Sequence, residues 1–161
     1  MKVLEIAHAQ VGTKEMPPNS NNVKYNTWIY GEPVMDTKQR QYPWCAAFVS
    51  WCFDQVGLNL GRIDVIKGFV GCNFAVNNVA KWGKIVTVPQ AGDVSFYDWQ
   101  GDGRFDHTGI FEKDLGLGYF QAIEGNTGAT NFSNGGEVMI CKRKYKNAIF
   151  IRPNVLTTPS L

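Results

Sequence analysis

The feature that most constrains the fold is a change in the hydrophobic pattern near residue 83. Before this point, apolar residues recur at helical spacing; after it, short β-rich runs alternate with clusters of Gly, Asp and Asn. Helices followed by strands, rather than alternating with them, favour an α+β fold over a parallel α/β fold. We therefore predict N-terminal helices packed on a C-terminal antiparallel β-sheet.

The pattern predicts four helices and six strands. The helices span 3–11, a short segment containing residues 25–29, 43–55 and 74–82, and the strands span 85–88, 93–97, 107–112, 119–124, 137–142 and 148–152. We expect one catalytic domain over residues 1–152, followed by a tail or linker stub at 153–161.

Composition excludes several classes of protein. The 161 residues are 44% hydrophobic and carry a net charge of +2, which suits a folded monomer and gives no electrostatic reason to expect a nucleic-acid or membrane partner. No apolar run approaches the roughly 20 residues that span a bilayer. The first ten residues lack the apolar core of a signal peptide, so we expect no leader.

The four cysteines are Cys45, Cys52, Cys72 and Cys141, and their spacing does not favour structural zinc. A bridge between Cys45 and Cys52 is excluded if both lie in one helix, because seven residues at about 1.5 Å each separate them by about 10 Å. For Cys72 and Cys141 free thiols are favoured, with a bridge left open.

Cys45 is the candidate nucleophile. It lies two residues after Pro43, in the first turn of the most apolar predicted helix. Unpaired N–H groups and partial positive charge at a helix N-terminus make a thiol easier to ionise and can hold an oxyanion. The alternative, which fits the mid-helix Cys52, is a buried cysteine that acts as a small hydrophobe.

His107 is the candidate base. It opens one predicted strand, and Glu124 and Asn126 end the next, beyond a predicted five-residue turn at 114–118. The midpoint of positions 107 and 124 falls inside this turn, so we expect the imidazole to lie across from Glu124, with Asn126 on the same side. The alternative is a surface hairpin with an incidental pair. His8 is a weaker candidate on the first helix.

Several segments together resemble the CHAP family, whose name stands for cysteine, histidine-dependent amidohydrolase/peptidase. The resemblance lies in Tyr-Pro-Trp-Cys-Ala-Ala-Phe-Val-Ser-Trp-Cys (42–52), Gln-Ala-Gly-Asp-Val (90–94), Asp-His-Thr-Gly-Ile (106–110) and Glu-Gly-Asn-Thr (124–127), with further similarity at 11–15 and 19–26.

This resemblance implies a papain-like α+β fold with Cys45 as nucleophile, His107 as general base, Glu124 as the residue that orients the imidazole, and Asn126 as the fourth member. It implies that the partner is bacterial peptidoglycan, cut at an amide bond either between muramic acid and L-alanine or within the stem or cross-bridge peptide. It also implies a bacteriolytic phage endolysin, made in the host cytoplasm and acting at the cell wall after release by a holin or from outside.

Two other functions stay open at this stage. One is a catalytically silent wall-binding module on the same fold, which the presence of all four candidate residues disfavours. The other is a papain-like amidase that acts on proteins or small amides.

A second oxyanion donor could come from Gln39, Gln41 or Tyr42, and the sequence does not choose among them.

The chemistry requires no cofactor, but one loop resembles part of a calcium site. Its candidate ligands are Asp98, Gln100, Asp102, Arg104 and Asp106. Gly103 occupies the sixth position, as in an EF-hand, but the bidentate Glu of position 12 is missing. The alternative is an acidic turn that leads into the histidine strand.

Three aromatic residues flank the predicted site and are candidates to line a peptide groove: Tyr42, Trp44 and Trp99. The basic run at 142–146 is predicted to be a solvated turn, with a contact to anionic wall polymers as the alternative.

Overall fold

The computed structural model describes residues 2–36 and 41–156, and they form the predicted α+β fold. The helices are α1 (Lys2–Ala9), α2 (Lys24–Tyr30), α3 (Cys45–Gln55) and α4 (Cys72–Asn77), with 3₁₀ turns at Val79–Lys81, Tyr145–Asn147 and Asn154–Leu156. The strands are β1 (Gly83–Val86), β2 (Val94–Tyr97), β3 (His107–Gly116), β4 (Tyr119–Thr127), β5 (Glu137–Lys144) and β6 (Ala148–Pro153). They form one antiparallel sheet in the order β1-β6-β2-β3-β4-β5.

Helix α3 is the centre of the larger hydrophobic core. Eight of its 11 residues are buried, and it packs against α1, α2, β3 and β4. The approach to β4 is so close that a Cβ at Gly125 would lie 2.6 Å from Cβ of Phe48. Only a residue without a side chain lets the strand and the helix meet this closely. The start of α3 is thereby held next to the ends of β3 and β4.

A second, smaller core lies on the other side of the sheet. Because side chains alternate along a strand, Phe96 packs in the α3 core whereas its neighbour Tyr97 joins this second cluster. The other buried members are Phe111, Phe120, Ala122 and Phe150. The aromatic cluster supports the start of β3.

The hairpin between β3 and β4 differs from the prediction. The predicted turn at 114–118 is wrong, because β3 continues to Gly116 and only Leu117 and Gly118 form the loop. Two register shifts, between Phe111 and Lys113 and between Asp114 and Gly116, place extra residues in β3. The symmetry argument from the midpoint therefore fails by two residues.

Other boundaries agree with the prediction to within a few residues, although the last predicted helix is split into α4 and a 3₁₀ turn. All four cysteines are free and buried, as favoured from the sequence. No helix within the described ranges is long and apolar enough to cross a membrane. The boundary predicted at residue 152 stays a prediction; β6 ends at Pro153, and residues 157–161 lie outside the described part.

Candidate active site

Cys45 is the first residue of α3, and the N-terminal part of the chain fixes the segment that precedes it. The indole Nε1 of Trp44 donates a hydrogen bond of 3.2 Å to the buried carboxylate of Glu15, and its ring stacks on Tyr25 at 5.5 Å. The side-chain amide of Asn26 donates to the carbonyl of Tyr42 at 2.8 Å. These contacts set the direction in which α3 begins and thus the position of the thiol.

His107 is the first residue of β3, and its imidazole is completely buried. Its ring is stacked against Tyr97 and Trp99, with centroids 5.8 and 5.7 Å away. Nε2 is 2.9 Å from Oε2 of Glu124, whereas Nδ1 makes no hydrogen bond of ordinary geometry within the described structure. The carboxylate therefore fixes one ring nitrogen and leaves Nδ1 available.

Glu124 reaches His107 by crossing a glycine. Ile110 pairs with Ile123, so the register continues to Gly109 opposite Glu124, and His107 lies two residues further along the strand. A Cβ at Gly109 would be 2.6 Å from Cγ of Glu124. The glutamate side chain lies in the space that any larger residue at 109 would fill. The expectation that His107 and Glu124 face each other directly is thus corrected, but the two side chains do meet.

The electrostatics of the pair favour a thiolate beside an imidazolium. A hydrogen bond from Cys72, followed by the charge of His107, holds the pKa of Cys45 well below its usual range, against the effect of burial. Burial alone would lower the pKa of His107, but Cys45 and Glu124 together raise it to about 9. Each charge stabilises the other in a site closed to water. The arrangement supplies a nucleophile and a proton donor at neutral pH.

Comparison with known proteins agrees with this geometry. A family model described as CHAP domain matches residues 37–126, more than half of the chain, and the match includes Cys45, His107 and Glu124. The chain belongs to the CHAP family. The CHAP family is a family of cell-wall hydrolases of the amidase/peptidase type, and the chain is a member of it. No curated protein gives a significant match to the sequence.

Cys72 is a site residue that the sequence did not indicate. It begins α4, and the side chain of the next residue, Asn73, accepts a hydrogen bond of 2.8 Å from the backbone N–H of Phe105, in the loop that leads to His107. The hydrogen bond with Cys45 and burial raise the pKa of Cys72 well above its usual range, so it stays a neutral donor. In this CHAP domain, a second thiol therefore supports the ionised one.

The side-chain amide of Asn126 makes its hydrogen bonds to the loop after β4, and its predicted role beside the imidazole stays a prediction. A bulge separates Glu124 from Thr127, and Asn126 has a φ of 55°. Because of this left-handed conformation, its amide turns toward the following loop, donating to Asn134 at 3.1 Å and accepting from the N–H of Gly136 at 3.1 Å. Its hydrogen bonds therefore stabilise the loop after β4, and neither involves His107.

Arg143 is the second site residue that sequence reasoning missed. The prediction of a solvated turn at 142–146 is wrong, because β5 continues to Lys144 and alternation turns Arg143 inward while Lys142 and Lys144 stay exposed. Its guanidinium forms a fork with the carboxylate of Glu124. Burial would raise the pKa of Glu124, but the hydrogen bonds from His107 and Arg143 lower it to about 2.

One of the three aromatic residues predicted to line a peptide groove is buried. Trp44 is fully buried and cannot line a groove, because Glu15 and Tyr25 hold it in the core. Trp99 is partly exposed and its ring lies over that of His107. Phe132 is exposed, and its ring centroid is 6.0 Å from that of Trp99. Trp99 and the partly exposed Tyr42 stay predicted substrate contacts.

Of the three residues considered as second oxyanion donors, Gln39 lies outside the described part of the chain. The backbone N–H of Gln41 donates to the carboxylate of Asp36, so this donor is already in use. Tyr42 has a φ of 59°, which turns the chain sharply just before α3. His8, the weaker candidate base, lies on α1, far from Cys45 in the sequence. Its Nε2 is 2.8 Å from Oε1 of Glu112.

The loop predicted to bind calcium is organised by its own hydrogen bonds. The carboxylate of Asp98 accepts the backbone N–H groups of Gly101, Asp102 and Gly103. No group of three or more His, Cys, Asp or Glu side chains among residues 2–36 and 41–156 is arranged to hold a metal ion. Calcium binding at 98–106 stays a prediction, and no step of the chemistry depends on it.

Proposed function

We propose that this CHAP domain cleaves an amide bond of bacterial peptidoglycan through a thioester on Cys45. The observation that carries the proposal is the arrangement of the buried imidazole, 2.9 Å from Glu124 on one nitrogen, with the other nitrogen left for the thiol at the start of α3. A tuned thiol and an oriented imidazole are the groups that acyl transfer from an amide requires.

In the first half of the reaction, the Cys45 thiolate attacks the carbonyl carbon of the scissile amide. The negative charge moves to the carbonyl oxygen, where N–H groups at the start of α3, beginning with that of Cys45, can stabilise it. When the tetrahedral intermediate collapses, the carbon–nitrogen bond breaks and His107 gives its proton to the departing amine. The acyl group is then held as a thioester on the sulfur.

In the second half, His107 acts as a base. It takes a proton from a water molecule, whose oxygen attacks the thioester carbonyl; the carbon–sulfur bond breaks and the thiolate returns. The acid product leaves, and the imidazole is again protonated. Glu124 stabilises the imidazolium in both halves, and Trp99 stacks against the imidazole ring.

Activity against walls tests the proposal and its two competitors. Gram-positive cell walls are treated with the wild-type protein, and the released fragments are analysed by mass spectrometry. A new amine on L-alanine identifies an amidase, and a new amine within the stem or cross-bridge identifies an endopeptidase. Binding without release would favour a silent module, and cleavage of soluble proteins without release from walls would favour a non-wall amidase. A phage endolysin is the biological setting that we propose.

A further inference from the structure

We propose that Arg143 is a positioning residue of this hydrolase, which holds the Glu124 carboxylate ionised and directed at His107. The inference rests on the proposed function, because it assigns Arg143 to the same reaction. It does not make Arg143 a catalytic residue: the guanidinium acts on the reacting atoms only through Glu124 and then through His107.

The contacts between the two side chains form a fork with two hydrogen bonds. Nε of Arg143 lies 2.9 Å from Oε1 of Glu124, and Nη2 lies 2.6 Å from Oε2. Nη2 also donates to the hydroxyl of Thr127 at 3.2 Å. A planar guanidinium bound in this way fixes both the position and the rotation of the carboxylate. Oε2 is the same oxygen that meets His107, so the fork determines the angle at which the imidazole is held.

The surroundings show why an arginine suits this position. Its side chain is 9% exposed, and the guanidinium lies over three aromatic rings, with centroids at 4.6 Å for Phe132, 5.6 Å for Trp99 and 5.8 Å for Tyr97. A delocalised cation stacks on such rings and is easier to desolvate than a lysine ammonium. Trp99 thereby contacts both the arginine and His107.

The charge balance explains what the arginine does for the chemistry. Glu124 is fully buried, and a buried carboxylate with one partner gains by becoming neutral. If it took the proton of His107, the imidazolium that should protonate the leaving amine would be lost. With Arg143 as a second partner the carboxylate stays charged, so the proton stays on the imidazole and the thiolate of Cys45 keeps its counter-ion.

The test measures the reactivity of Cys45 directly and does not require a wall substrate. Alkylation by iodoacetamide is followed against pH in the wild type, Arg143→Met and Arg143→Lys, with peptide mass spectrometry to localise the label on Cys45. The matched control is Lys144→Met, which removes an exposed cation from the next position of β5.

Loss of the arginine should raise the pKa of Glu124. The fraction of Cys45 that is present as thiolate at acidic pH should then fall. For Arg143→Met we expect the acid limb of the alkylation profile to move up by about one pH unit, which is about tenfold slower labelling below the limb. Arg143→Lys keeps the charge without the fork, so we expect a smaller shift, and Lys144→Met should match the wild type.

An unchanged acid limb in a folded Arg143→Met protein, with a melting transition like that of the wild type, would overturn the inference. If the Met variant does not fold, the Lys variant decides, and a wild-type profile there would overturn it. Failure of the proposed function is a separate result: the wild type would label normally at Cys45 and yet release nothing from walls.

Discussion

The substitution Gly109→Ala tests how Glu124 reaches the imidazole. The added Cβ would lie 2.6 Å from Cγ of Glu124 and 3.1 Å from the backbone oxygen of Ile123. Carbon atoms in contact need about 3.6 Å, so the glutamate must withdraw by about 1 Å. The strand backbone cannot yield easily, because Ile123 is paired on both sides by β3 and β5.

The magnitude follows from the hydrogen bond that the shift would break. A withdrawal of about 1 Å would lengthen the bond between Glu124 and His107 from 2.9 Å to about 3.9 Å, which is no longer a hydrogen bond. Misplacement of a catalytic group by about 1 Å costs about 100-fold in rate. Overpacking of this kind also costs about 1–3 kcal/mol of the free energy of unfolding.

The assay combines wall hydrolysis with thermal melting, and Gly83→Ala is its matched control. A Cβ at Gly83 would lie 2.6 Å from the backbone oxygen of Arg152, at the opposite edge of the sheet from the hairpin of β4 and β5. We expect both variants to lose stability, but only Gly109→Ala to lose about 100-fold in activity. A folded Gly109→Ala protein with wild-type activity would refute the proposed path of the glutamate.

Three further predictions concern the thiol, the pH dependence and the metal. In Cys72→Ala the hydrogen bond that lowers the pKa of Cys45 most is lost, so its alkylation should begin at higher pH; an unchanged onset would contradict the role of the second thiol. Hydrolysis needs protonated His107, so the rate should fall as the pH rises through about 9. Glu124→Gln removes a negative charge and should move this fall to lower pH. A fall at the same pH in both proteins would contradict the coupling of Glu124 to His107. If calcium binds at 98–106, calcium should raise the melting temperature of metal-free protein, and a constant temperature rules the site out.

The elements of the fold were predictable because their signals are local. The apolar run of α3 and the alternating runs of the strands report secondary structure over a few residues. The placement of Cys45 at a helix start follows from Pro43 alone. Such features need no knowledge of what packs against them.

The hairpin register could not be predicted in the same way. Its shifts follow from bulges in β3, and a bulge inserts a residue without any compositional signal. His107 and Glu124 meet despite the two-residue error, because the side chain of Glu124 is long enough to cross Gly109. The turn of the Asn126 amide toward the following loop depends on a second bulge, at the end of β4.

Long-range partners account for the remaining differences. Arg143 lies in a basic run whose exposed neighbours are lysines, and its partner, the buried carboxylate of Glu124, lies on another strand. Trp44 is buried because Glu15 accepts its indole N–H across 29 positions of sequence. Cys72, at the start of α4, interacts with the thiol of Cys45 from another part of the sequence. No local pattern contains these pairings.

The most direct test of the central claim compares wall hydrolysis by the wild type, Cys45→Ala and Cys52→Ala. Cys52 lies in the same helix and is fully buried, and its pKa is raised by burial, so it controls for the loss of a buried thiol. We predict that the wild type and Cys52→Ala release new amines from purified Gram-positive walls, whereas folded Cys45→Ala releases none. Release of the same amines by Cys45→Ala would show that Cys45 is not the nucleophile.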